Sequence, residues 1–116
     1  MTMPTWEELG KALQALEAQG IPFAEGGWRF DDNEPPVVYG VYAVDGTRDL
    51  MAGGKHAERV WEGTVDLFVR YAKGLPEMAL IENTLDALGA AWRLNSTQYE
   101  NDTGFTHYEW VVNALM

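Results

Sequence analysis

The chain has no cysteine. That excludes a disulfide framework, a thiolate metal site and a cysteine nucleophile, and it fits a reducing cytoplasm. Cations are scarce as well: 8 Lys and Arg stand against 18 Asp and Glu, a net charge of −10. A surface of that sign repels phosphates and anionic membranes, so tight nucleic-acid binding is disfavoured. The acids are spread along the chain rather than gathered in one run. This is the pattern of a soluble acidic domain, and also of a surface that DNA passes without sticking. No apolar run approaches the ~20 residues needed to cross a bilayer. The opening stretch MTMPTWEELGKAL places acids where an export signal carries positive charge, so none is expected. The triplets Asn95-Ser96-Thr97 and Asn101-Asp102-Thr103 then read as polar turn sequence.

What the chain does have is core material. Hydrophobic residues make up 47%, with 5 Trp, 5 Tyr and 4 Phe, enough for one globular domain over all 116 residues. Thr5-Trp6-Glu7-Glu8 fits a capping box, and Trp6, Leu9, Leu13 and Leu16 recur at helical spacing until Gly20, which predicts a helix over 6–19. Ile21 to Glu25 is a short extended piece, confined to a sheet edge by Pro22. Gly26 to Pro36 reads as a loop, with Trp28 and Phe30 folded back onto the domain. Val37 to Asp45, VVYGVYAVD, is apolar on both alternating faces, so it is expected either at the centre of a sheet or against a partner. Its face of Val38, Tyr42 and Val44 is the candidate interface.

Asp45 to His56 reads as a long irregular link. Beyond it, Val60 to Ala72 alternates, with Trp61, Gly63, Val65, Leu67, Val69 and Tyr71 on one side, as a half-buried antiparallel strand does. Pro76 opens a second helix whose stripe is Met78, Ile81, Leu85 and Leu88, ended by Gly89. AAWRLNSTQY and GFTHYEWVVNAL follow as a hairpin around ENDTG. The expected fold is therefore α+β: a mostly antiparallel sheet of four to five strands with two helices on one face, in the order α-β-β-β-α-β-β.

Catalytic motifs fail one by one. Gly53-Gly54-Lys55 resembles part of a phosphate loop. However, the first glycine position holds Asp49, the Ser/Thr position holds His56, and a strand follows instead of a helix. His56-Ala57-Glu58 and His107-Tyr108-Glu109 each put an imidazole and a carboxylate on one strand face, a permissive metal pattern that two histidines among many acids produce by chance. Glu62 with Asp66, and Asp31 with Asp32, are carboxylate pairs of a kind an acidic chain offers everywhere. No nucleophile elbow is present. The aromatics at Trp61, Tyr71, Trp92 and Trp110 fall on the apolar strand periods and read as core or interface. No enzyme, cofactor or metal is expected.

Taken in order, the capped helix, GIPFAEGGW, NEPPVVYGVYAVD, the Gly-containing loop, VWEGTVDLFVRYAK, LPEMALIENTLDALG and the final hairpin resemble one family. These segments, from about Leu9 to Leu115, look like the small tail-completion and tail-terminator proteins of long-tailed bacteriophages. The resemblance implies a lambda tail-terminator-like domain and a structural virion protein, assembled in the host bacterial cytoplasm. Such a protein caps the tail tube as a ring, expected to be a hexamer, and offers the head-tail joining surface. Its partners would be further copies of itself, the major tail tube protein and a head-tail connector protein, with DNA passing through the lumen unbound and no membrane involved. The turn Gly53-Gly54-Lys55-His56 departs from the Asp-containing turn of those relatives and leaves terminator and neck or connector roles both open. The expected assembly element is the loop carrying Arg48, Asp49, Leu50, Lys55, His56 and Arg59, whose cations would pair with a neighbour's acids. A small acidic binding module or inhibitor aimed at a basic partner is the alternative reading.

Overall fold

A computed structural model of the chain describes residues 3–28, 35–52 and 55–116, with the backbone alone over 48–52 and 55–59. Helix α1 runs Trp6–Gln14 and tightens into a 3-10 turn, Ala15–Gln19, before Gly20 closes it in the left-handed conformation at φ 90°. Thr5 caps α1 by accepting from the Glu8 amide at 3.1 Å. Only half of a capping box forms, because the Glu8 carboxylate accepts from the Thr5 hydroxyl instead of from the Thr5 amide.

Strand β1, Phe23–Glu25, lies at the sheet edge parallel to β2, Val38–Ala52. Strand β3, Lys55–Arg70, pairs antiparallel with β2. Helix α2, Leu75–Leu88, then crosses to the hairpin of β4, Ala91–Glu100, and β5, Phe105–Leu115. The sheet order is β1-β2-β3-β5-β4, so β3 is central and the fold is α+β with the expected element order.

Alternation positions the core. Val65, Leu67 and Val69 of β3 and Tyr108, Trp110, Val112 and Ala114 of β5 face Leu9, Leu13 and Leu16 of the N-terminal helical segment and Ile81 and Leu85 of α2. Burying such a side chain fully is worth about 1.5–3 kcal/mol, so this single layer carries the fold. The indoles entering it keep their N–H groups bonded: Trp110 donates to Glu82 at 2.9 Å and Trp92 to Asp86 at 2.8 Å. Two close approaches need glycine. A Cβ at Gly40 would run into the Phe23 ring, and one at Gly63 into the Ala43 carbonyl oxygen and the Trp6 indole.

The expectation of an irregular link over Asp45 to His56 is corrected. β2 and β3 continue through it as a paired ribbon with the partners Arg48 and Val60, Asp49 and Arg59, Leu50 and Glu58, Met51 and His56, and Ala52 and Lys55. Register shifts between Val44 and Gly46 and between Leu50 and Met51 mark two bulges. A single extra residue swaps the faces of a strand, so Asp45 ends the alternation of Val37 to Val44 without ending the strand. Tyr71 is also corrected. Its φ of 61° turns the chain out of β3, and the ring lies 75% exposed instead of continuing the buried face.

Candidate assembly surface

Pairing between β3 and β5 ends at Val60 and Leu115, while β3 continues to Lys55 paired with β2 alone. The ribbon therefore projects ~17 Å past the rest of the sheet. This projection contributes to the molecule's principal extents of 50 × 24 × 24 Å. A two-stranded ribbon is marginal by itself and gains stability from a surface to lie on. Its sequence supplies Arg48, Lys55, His56 and Arg59 against Asp49 and Glu58, so three of the chain's eight Lys and Arg fall within residues 48–59 beside two acids. Of the six residues expected to form an assembly loop, Asp49, Leu50, Lys55, His56 and Arg59 lie on this arm and Arg48 at its root, all on strands; Gly53 and Gly54, and likewise Phe30, Asp31 and Asp32, are outside the described residues.

The expected interface of Val38, Tyr42 and Val44 is largely internal. Tyr42 is 3% exposed and Val38 packs against the same core, which leaves Val44 as the outward member. That face turns inward because it carries Gly40, and the flat strand surface there receives Phe23. Burial pushes the Tyr42 phenol above its ordinary pKa. A hydrogen bond from the Gln14 amide at 2.7 Å opposes this, and the Glu25 carboxylate adds a further push upward.

A groove of about 490 Å³ lies at the base of the arm. Trp6, Tyr42 and Trp61 line it, with Trp6 and Tyr42 rings 5.8 Å apart, and so do Glu7, Glu25 and Lys11. Glu25 accepts from the Trp6 indole at 2.8 Å, and Glu7 pairs with Lys11 at 3.3 Å. Five separate segments contribute to this groove, the last of them Met116, and no local pattern in the sequence announces it.

The sheet face away from the helices carries an aromatic ladder. Tyr39 stacks on Phe68 at 4.7 Å, Phe68 stacks on His107 at 4.1 Å, and Phe105 meets both Tyr39 and Phe68 edge-on. His107 Nε2 lies 2.8 Å from Asp66 Oδ1. Burial, and then Glu100, raise the Tyr39 pKa. His107 pairs with Phe68, whereas His56 lies twelve residues away along the same strand, ~40 Å distant, so one chain cannot bring the two imidazoles to one metal. Among the described residues no three His, Asp or Glu side chains are grouped to hold an ion. Glu62 and Asp66 are four residues apart on one strand, ~13 Å, too far to share a proton.

The end opposite the arm exposes apolar side chains beside the charged Lys73, Glu100 and Asp102. Val37 accepts from the Arg70 amide there, Leu75 is exposed, and Tyr71 and Tyr99 (62% exposed) line a second trough reaching Tyr108 and Lys73. Trp28 does fold back, donating from its indole to the Gly40 carbonyl at 2.8 Å. Among the described residues no helix is long and apolar enough to cross a membrane. No protein-family model matches the chain, and no curated protein matches it.

Proposed function

We propose that this chain is a structural assembly protein of a long-tailed phage or prophage, a tail terminator that caps the tail tube as a ring and presents the head-tail joining surface. The observation that carries this reading is the arm. Four residue pairs of β2 and β3 extend beyond the last residue of β5, hydrogen-bonded only to each other within the sheet. A ribbon of that kind is an element held ready for another molecule.

The chemical difference between the two ends supports a joining role. The arm end is rich in cations within a chain of net charge −10, and the opposite end exposes Val37, Tyr71, Leu75 and Tyr99. A capping protein needs two unlike surfaces, one for its own copies and one for the next component of the tail, and apolar patches of this kind mark such contacts. Net negative charge suits a lumen through which DNA must move.

Size-exclusion chromatography with light scattering, run with and without purified tail tubes, tests the proposal. Ring formation that tubes promote is the expected result. A monomer indifferent to tubes that binds a basic protein tightly would instead establish the acidic inhibitor reading.

A further inference from the structure

We propose that the groove lined by Trp6, Tyr42, Trp61 and Glu25 is the socket for the basic arm of a second copy of this chain. The inference rests on the self-assembly reading above and names the surface through which it works.

The argument begins with charge. The arm's sequence holds Arg48, Lys55 and Arg59 beside Asp49 and Glu58, a surplus of one positive charge. The groove offers the Glu25 carboxylate and the indoles of Trp6 and Trp61, with Glu7 paired to Lys11 and the Tyr42 ring buried beneath. A cation over an indole or phenol face is attracted by the ring quadrupole, and the attraction strengthens when water is excluded. Glu25 uses one oxygen to accept from Trp6, and a carboxylate has about four acceptor sites, so capacity for a guanidinium or ammonium remains. Among the described residues Lys11 is the one cation on the lining, and it is already paired with Glu7.

Geometry gives the second half. Trp61 pairs with Thr47 at the root of the arm, and Gly63 lets the Trp6 ring lie directly on β3. Arm and groove therefore share one end of a molecule whose extents are 50 × 24 × 24 Å. Arg48 and Arg59 lie one and two residues beyond the Thr47–Trp61 level, so either can enter a neighbour's groove with a shift of less than ~7 Å along the long axis, whereas Lys55 at the tip would need ~20 Å. A head-to-tail contact closes into a ring when its rotation completes a full turn without net shift, and grows a helical filament when a shift accumulates. A socket at the far end of the molecule would produce a stack.

The lack of cysteine makes the test clean. The full chain is prepared as three double variants: Lys11→Cys, on the groove wall, combined with Arg48→Cys, Lys55→Cys or Arg59→Cys. Each is oxidised under conditions where light scattering detects the ring. At least one double variant is expected to give a ladder of cross-linked multimers that neither of its single variants gives. Glu25→Lys, with circular dichroism unchanged, is expected to lower the ring fraction at least roughly tenfold. Rings that form with no ladder in any double variant, and that tolerate Glu25→Lys, overturn the socket while leaving the terminator reading intact. A chain that stays monomeric with and without tubes overturns both. Cross-linked rings that ignore tubes keep the socket and remove the terminator reading.

Discussion

At the scale of single residues, the glycines of β2 and β3 separate packing from chain freedom. Gly63 faces the Ala43 carbonyl and Trp6, whereas a Cβ at Gly46 would meet nothing within 4 Å. Gly63→Ala should therefore cost about 1–3 kcal/mol in urea unfolding, and Gly46→Ala should stay within about 0.5 kcal/mol of the parent. Equal costs at the two sites would mean that the Trp6 crossing on β3 is not tightly packed. Tyr39 yields a prediction in pH. Burial first, and the Glu100 charge second, raise its pKa above the ordinary value of 10.0. The unfolded chain therefore loses the phenolic proton at a lower pH than the folded one. This contribution is fully present below pH 10 and is lost as pH rises beyond it. Tyr39→Phe removes that linkage, so its stability should fall less steeply than the parent's between pH 9 and pH 11, measured by denaturant midpoints. Parallel slopes for the two proteins would refute the assignment to Tyr39.

At the scale of elements, what periodicity could reveal depended on whether an element faces a core. The helix stripes Leu9, Leu13, Leu16 and Ile81, Leu85 are buried as their spacing indicates, and so are Val65, Leu67 and Val69 of β3. The arm's backbone runs past the end of β5 and pairs only within β2 and β3, its sequence does not alternate, and Asp45 to His56 reads as a loop although its backbone is paired. Tyr71 kept the alternating pattern yet left the strand, because its amide donates to the Gly104 carbonyl at 2.9 Å to close the turn. The groove was illegible for another reason: Trp6, Glu25, Tyr42 and Trp61 converge only once β2 and β3 are paired beneath α1. If the arm serves other molecules and not the fold, removing it should cost little stability. Replacing residues 49–59 by Asn-Gly joins Arg48 to Val60, which are already partners across the ribbon, through a two-residue turn. The expected product is a folded monomer with a Tm within a few degrees of the parent and no ring by light scattering. A shortened chain that still forms rings would show that the arm is not the assembly element.

At the scale of the whole molecule, two electrostatic effects of opposite sign act on assembly, and salt separates them by range. Copies carrying a net charge of −10 repel one another over distances comparable to the 24 Å width of the body. That repulsion is largely screened once the Debye length falls to about 8 Å, near physiological ionic strength. An arm cation in contact with Glu25 acts over about 4 Å and loses its attraction only as the Debye length approaches about 3 Å, near 1 M salt. Ring formation should therefore strengthen from about 0.01 M to about 0.15 M NaCl and weaken again toward about 1 M. An assembly held by apolar contacts alone would strengthen throughout, because salt removes the repulsion and leaves apolar burial in place. Light scattering across a salt series at fixed protein concentration distinguishes the two profiles. Glu25→Gln locates the effect: with the carboxylate neutralised, the high-salt decline should flatten while the low-salt rise remains. A rise that continues to 1 M in the parent chain would place the binding free energy in apolar contacts and remove charge from the account of how the arm docks.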